Sequence, residues 1–243
     1  MAEGTTGRRR LYLMRHGHVD YFAPGLTDFT AVPLTDEGRG QAERAGKLLA
    51  GIRLDRSFHS GLPRTKETAE LVLENAKIDS RPTALPAFAE IRGGKVEVET
   101  AEELAARLAF SFDDADAPGA SFLPGGEEFA EAEKRIVRGL DEMLFEHAWR
   151  TALLVAHEGV NRILLAHLTG GGLGAVSHFE QDLCGINVLD FDIVPSGERL
   201  EIERVILKAV NLTAHDPVKK DLPRTSLEHL FGIDFGGARP QRR

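Results

Sequence analysis

The five residues Ala152-Leu153-Leu154-Val155-Ala156 are apolar without a break. A strand with one wet face alternates apolar and polar positions, so a strand apolar at every position must be covered on both faces. Such cover comes from helices packed on both sides of a largely parallel sheet. The flanking sequence supplies the parts. Leu11-Tyr12-Leu13-Met14 is another short apolar run, broken off abruptly at Arg15-His16-Gly17, and Arg56-Ser57-Phe58-His59-Ser60 reads as a further strand. Leu85 to Phe88 is a third short apolar piece.

Helical signals fall between these runs. Thr35 reads as an N-cap with Asp36 and Glu37 in the first turn, and Ala42, Ala45, Leu48 and Leu49 form the inward stripe. Pro63 opens a helix reaching about Leu73, acceptable there as a first-turn residue. Phe129, Ala132, Ile136, Leu140 and Met143 recur at three- and four-residue steps, which predicts a long helix from Glu127 to Glu146. Another runs from Val160 to Leu168 and stops at Gly170 to Gly172. Ile186 to Ile193 and Leu200 to Leu207 read as strands joined through Pro195-Ser196-Gly197. The expected fold is therefore α/β, a three-layer α/β/α sandwich around a mostly parallel sheet with one antiparallel edge strand. It spans residues 1–243 as one domain. The stretch from Ile91 to Pro124, with a helix near Ala101 to Ala109, is expected to form a loop and helix insertion over the site.

Composition narrows the function. A formal net charge of −8 argues against a general nucleic-acid or membrane-surface binder, either of which needs a basic face. No apolar run approaches the roughly 20 residues of a membrane helix, and MAEGTTGRRR does not read as a secretory signal. The single cysteine, Cys184, leaves no internal disulfide framework and no Cys-rich zinc site. The expectation is a cytoplasmic protein. The arginines at both ends, Arg8 to Arg10 and Arg239 to Arg243, read as solvated, mobile termini.

In open α/β sheets the reactive groups gather beyond the carboxyl ends of the strands. Those ends carry Arg15-His16, Ser60 to Arg64, and His157, and a further short segment ends near Glu90. Two arginines, two histidines and a carboxylate suit phosphoryl transfer. Guanidinium neutralises the nonbridging oxygens of a phosphate ester. A neutral imidazole can attack phosphorus and divide one difficult step into two. A carboxylic acid can protonate the departing alkoxide.

Leu13-Met14-Arg15-His16-Gly17 resembles the signature of the histidine phosphatase superfamily, the phosphoglycerate-mutase-like clan. The blocks beginning Pro33-Leu34-Thr35-Asp36-Glu37-Gly38 and Ser60-Gly61-Leu62-Pro63-Arg64-Thr65, together with Phe88-Ala89-Glu90-Ile91, Pro124-Gly125-Gly126-Glu127 and Val155-Ala156-His157-Glu158-Gly159, are similar to later family segments in the same order. The resemblance implies that His16 is the nucleophile that becomes phosphohistidine. Arg15, Arg64 and His157 would clamp the phosphoryl group of a small phosphorylated substrate, with His157 cationic when phosphate is bound. Glu90 would be the general acid and then the base for water. No metal or other cofactor is implied. Two departures bear on the substrate. Phe22 stands in the stretch where the family often has a phosphate-binding asparagine, and Ile91-Arg92-Gly93-Gly94 matches the mutase segment after the acid poorly, which favours hydrolysis over a mutase-type transfer. Two other classes fit parts of the pattern. His16-Gly17-His18-Val19-Asp20 has the H-x-H-x-D spacing of metal-dependent hydrolases, with His157 and Asp192 as recruits for a second ion. A non-catalytic phospholigand-binding protein would keep the pocket alone.

Overall fold

The computed structural model describes residues 6–26, 28, 30–94 and 108–231. Its six-stranded sheet has the spatial order β3-β2-β4-β1-β5-β6. The strands are β1 Gly7–Arg15, β2 Arg56–His59, β3 Thr83–Ala84, β4 Thr151–Ala156, β5 Ile186–Ser196 and β6 Arg199–Leu212. Strands β3, β2, β4 and β1 are mutually parallel, and β5 runs antiparallel to both β1 and β6, forming the hairpin that closes this edge. Helices α1 Asp36–Leu48, α2 Pro63–Ala76, α3 Phe129–Phe145 and α4 Glu158–Leu168 pack around the sheet, and a short α5 spans Ser226–Phe231.

Strand β4 divides its side chains between two cores, as its composition requires. Ala152, Leu154 and Ala156 join Phe129, Ile136 and Leu140 of α3 and Ile163 and Leu164 of α4. Leu153 and Val155 face the other way, onto Ala42 and Ala45 of α1 and Ala69, Val72 and Leu73 of α2. Each fully buried Leu or Val contributes about 1.5–3 kcal/mol of transfer free energy, so this strand is held from both faces.

Thr35 is the N-cap of α1, its side chain accepting from the Gly38 amide. Leu48, expected inside, is exposed, and Leu49 takes the buried place. The third apolar piece does not form the edge strand itself. Pairing occurs one step earlier, at Thr83–Ala84, and Pro86–Phe88 is a 3₁₀ turn, because proline has no N–H for a ladder. The expected helix near Ala101 to Ala109 falls mostly on residues 95–107, outside the described residues. Beyond them, Phe112 and Ala115 join the core. The N-terminal arginines are not solvated ends. Arg8 to Arg10 lie within β1, and Arg9 is completely buried. Among the described residues no helix is long and apolar enough to cross a membrane.

Candidate active site

Parallel pairing brings three strand ends level. Arg15 of β1 stands beside Ala156 of β4, and His59 of β2 beside Val155. The next residues, His16, Ser60 and His157, therefore leave the sheet together, and α2 follows with Arg64 in its first turn. Gly17 makes the close approach of α1 possible. A Cβ on Gly17 would lie 2.5 Å from the Gly38 carbonyl oxygen, and one on Gly38 would lie 2.2 Å from that of His18.

The His16 ring is buried, with its Nδ1 2.7 Å from the Gly17 carbonyl oxygen. A carbonyl only accepts, so Nδ1 carries the hydrogen and the lone pair belongs to Nε2. Burial, then Arg64 and Arg15, hold this imidazole well below the usual histidine range. The ring is thus neutral and nucleophilic near neutral pH. The His157 ring lies edge-on to it at 65°, with centroids 5.2 Å apart.

Ser60 Oγ lies 2.7 Å from His157 Nε2 and 2.9 Å from Thr65 Oγ1. Thr65 gives its own hydrogen to the Leu62 carbonyl. Ser60 must then donate to Thr65 and accept from His157, which puts the His157 proton on Nε2. The remaining nitrogen, Nδ1, is buried with no hydrogen-bond partner. Burial, followed by His16 and the two arginines, depresses the pKa of His157 as well.

Arg15 is anchored by one nitrogen. Its Nη1 donates to the Gln181 carbonyl at 2.6 Å and to Ser226 Oγ, and lies 3.0 Å from Glu158 Oε2. Its Nε is buried without a partner, and among the described residues Nη2 makes no hydrogen bond, so the Nε–Nη2 edge is the side-on fork left for an oxyanion. Arg64 is buried, and its guanidinium lies 5.9 Å from the Tyr21 ring. Its charge acts on His16, His157, Tyr21 and Glu90.

Glu90 follows the 3₁₀ turn. One of its oxygens accepts from the Ile91 amide at 2.9 Å, and Gly159 leaves room for it, since a Cβ there would sit 3.0 Å from Glu90 Oε1. Burial pushes this carboxyl up, reinforced by Glu158 and opposed by the Ile91 amide, Arg64 and Arg15. Thus Arg15, His16, Arg64, Glu90 and His157 share one electrostatic neighbourhood.

The residues of the H-x-H-x-D reading do not gather. His18 Nδ1 pairs with Thr35 Oγ1, Asp20 accepts from the Phe22 amide, and Asp192 pairs with Arg8 and Arg204. No group of three or more His, Cys, Asp or Glu that could hold a metal ion occurs among the described residues. Phe22 is 67% exposed and lines no part of the cavity.

Four contributors escaped the sequence reading. Ser60 and Glu158 lay inside recognised blocks without a role, and Tyr21 lay in a loop with no pattern. Ser226 gave no chemical signal at all. A cavity of about 750 Å³ opens at Arg15 and His16. Its far walls are α1, at Gln41 and Arg44, and residues between Asp221 and Leu230.

The family model of the histidine phosphatase superfamily, branch 1, matches residues 11–199. The chain belongs to the histidine phosphatase superfamily. This superfamily member is 30% identical over 172 residues to the adenosylcobalamin/alpha-ribazole phosphatase of Salmonella typhimurium, covering 70% of this chain and 84% of that protein. It is 28% identical over 224 residues to the 2-carboxy-D-arabinitol-1-phosphatase of Triticum aestivum, covering 88% of this chain and 42% of the relative. The crystal structure of the alpha-ribazole phosphatase from Shigella flexneri superposes with a TM-score of 0.61 at 25% identity, covering 83% of this chain and 96% of that one. These relatives place the superfamily member among phosphoric monoester hydrolases.

Proposed function

We propose that this enzyme hydrolyses a phosphate monoester through a phosphohistidine formed on His16. The observation that carries the reading is the His16 ring, neutral, with its proton committed to Gly17 and Nε2 left as the lone-pair nitrogen. Nε2 attacks phosphorus while the bond to the leaving oxygen breaks. Arg15 and Arg64 neutralise the nonbridging oxygens. His157 Nδ1, which lacks a protein partner, takes up a proton as the phosphoryl group binds, so that an N–H faces a phosphoryl oxygen and the ring becomes cationic. Glu90, whose carboxyl burial shifts toward the protonated form, gives its proton to the departing alkoxide. Its carboxylate then takes a proton from water, which attacks the phosphohistidine and releases phosphate and the free imidazole.

Hydrolysis is preferred to mutase-type transfer because the relatives whose matches span most of this chain are named phosphatases. The phosphate esters in those names, of a ribazole and a carboxyarabinitol, are the first small substrates to assay.

The test is turnover of an aryl phosphate in excess chelator. Wild-type activity should persist, and His16→Ala should abolish it. Retention of most activity in His16→Ala removes the phosphohistidine. Loss of wild-type activity in chelator, restored by zinc or manganese, favours the metal-dependent alternative.

A further inference from the structure

The region matched by the family model ends at residue 199, yet the cavity is walled by residues between Asp221 and Leu230. That later segment is specifically fastened. Thr225 and Glu228 exchange bonds, the Thr225 amide donating to Glu228 Oε2 at 2.8 Å and the Glu228 amide to Thr225 Oγ1 at 3.2 Å, a reciprocal cap at the start of α5. Leu227 is buried in the main core.

Ser226 lies between them and faces the site. Its hydroxyl accepts from Arg15 Nη1 and donates to Glu158 Oε2 at 3.0 Å, and its amide donates to Glu180 Oε1 at 2.8 Å. Arg162 ties the two carboxylates together, at 2.8 Å from Glu158 and 2.7 Å from Glu180. Both Arg15 and Glu158 are almost wholly buried, so neither can exchange Ser226 for bulk water without cost. With Nη1 fixed, the guanidinium plane is fixed, and the Nε–Nη2 edge keeps its aim.

We propose that Ser226 is a positioning residue for oxyanion binding: by holding Nη1, the C-terminal segment sets the orientation in which Arg15 presents its free edge to the phosphoryl group. The inference rests on the phosphate-binding role given to Arg15 above. It makes the C-terminal segment part of the working site, so a substrate's phosphoryl affinity depends on residues beyond the matched family region.

The test is the dissociation constant of inorganic phosphate, measured by calorimetry, alongside KM and kcat for an aryl phosphate. Ser226→Ala should raise the phosphate dissociation constant and KM by about fivefold to tenfold, the scale of one net hydrogen bond. Ser226→Thr, which keeps the hydroxyl, should restore both. The effect of Ser226→Ala should vanish in an Arg15→Ala background. Unchanged phosphate affinity in Ser226→Ala, or additive effects in the double variant, overturns the proposal. If Ser226→Ala lowers the melting temperature, the near-isosteric Ser226→Cys, a weak acceptor, carries the same expectation. Phosphate binding that depends on Ser226 without turnover of any ester would sink the phosphatase reading alone. His16-dependent turnover indifferent to Ser226 would sink this one alone.

Discussion

Strand β1 carries arginines at both ends, and the two ends use them differently. At the amino end Arg8 and Arg10 pair with Asp192 and Asp190 across the sheet, each at 2.7 Å. Arg9 between them is buried, donating to the Leu144 and His147 carbonyls with its guanidinium 3.8 Å from the Trp149 ring. Burial lowers its pKa to about 10. At the carboxyl end Arg15 is equally enclosed by acceptors, but only through Nη1. A single unpartnered atom does not separate the two, since Nε of Arg9 also lacks a hydrogen bond. What separates them is convergence. Near Arg15 lie a lone-pair nitrogen on His16, an unpartnered Nδ1 on His157, a cavity and a raised carboxyl. Buried polar groups normally find partners, so several unmet ones together mark a place built for a polar guest.

The largest contrast should appear in turnover. Arg15→Ala should cut kcat/KM by about a thousandfold, roughly 4 kcal/mol of transition-state stabilisation. Steady-state kinetics on an aryl phosphate reads it, and a fall of less than tenfold would erase the distinction between the two ends. Arg9→Leu should do the opposite. Two buried carbonyls lose their donors, so denaturant unfolding should show a loss of about 3 kcal/mol, with kcat/KM of the folded fraction unchanged.

Titration sharpens the contrast further. Folded His157 has a depressed pKa while its unfolded counterpart binds protons near 6.5. The unfolded state therefore gains protons first as pH falls, and stability drops below about pH 6.5. His157→Gln should flatten that fall, by at most about 1.4 kcal/mol per pH unit for the one proton involved. Asp190 and Asp192 are held below the usual carboxylate range, chiefly by hydrogen bonds from Arg10 and Arg8. Their contribution is present above the unfolded carboxylate pKa and is lost only as pH falls through the folded values, below about pH 4. Urea midpoints across pH should show the two losses separately. The smallest effect belongs to Arg10→Gln. Its pair is partly solvated, so stability should change by less than about 1 kcal/mol, and activity not at all.

The sheet was legible because burial on both faces leaves an unbroken apolar string, and β4 and β1 show it. The ends of those strands were legible because polar residues interrupt apolar runs abruptly, which singled out Arg15-His16 and His157. The arginines of β1's amino end were not, because charge in a sequence does not tell whether an acidic partner awaits on a strand some 180 residues later, as Asp190 and Asp192 do. Ser226 was hidden for the same reason. A hydroxyl in a short polar stretch carries no pattern, and its meaning comes only from tertiary contact with Arg15 and Glu158. Loop side chains such as Phe22 follow no periodicity that tells which of them faces the site. The neighbouring Tyr21, not Phe22, turns inward toward Arg64.

The contact between Gly17 and Gly38 carries a consequence for how this protein can change. Backbone touches backbone there, and either position would force the two apart if it gained even a methyl group. The nucleophile's loop and the first helix are therefore welded into one body, immune to gradual redesign at the seam. New chemistry at the mouth of the cavity can enter through the stretch between them, from Val19 to Pro33, or through the wall between Asp221 and Leu230, where exchange leaves the weld intact.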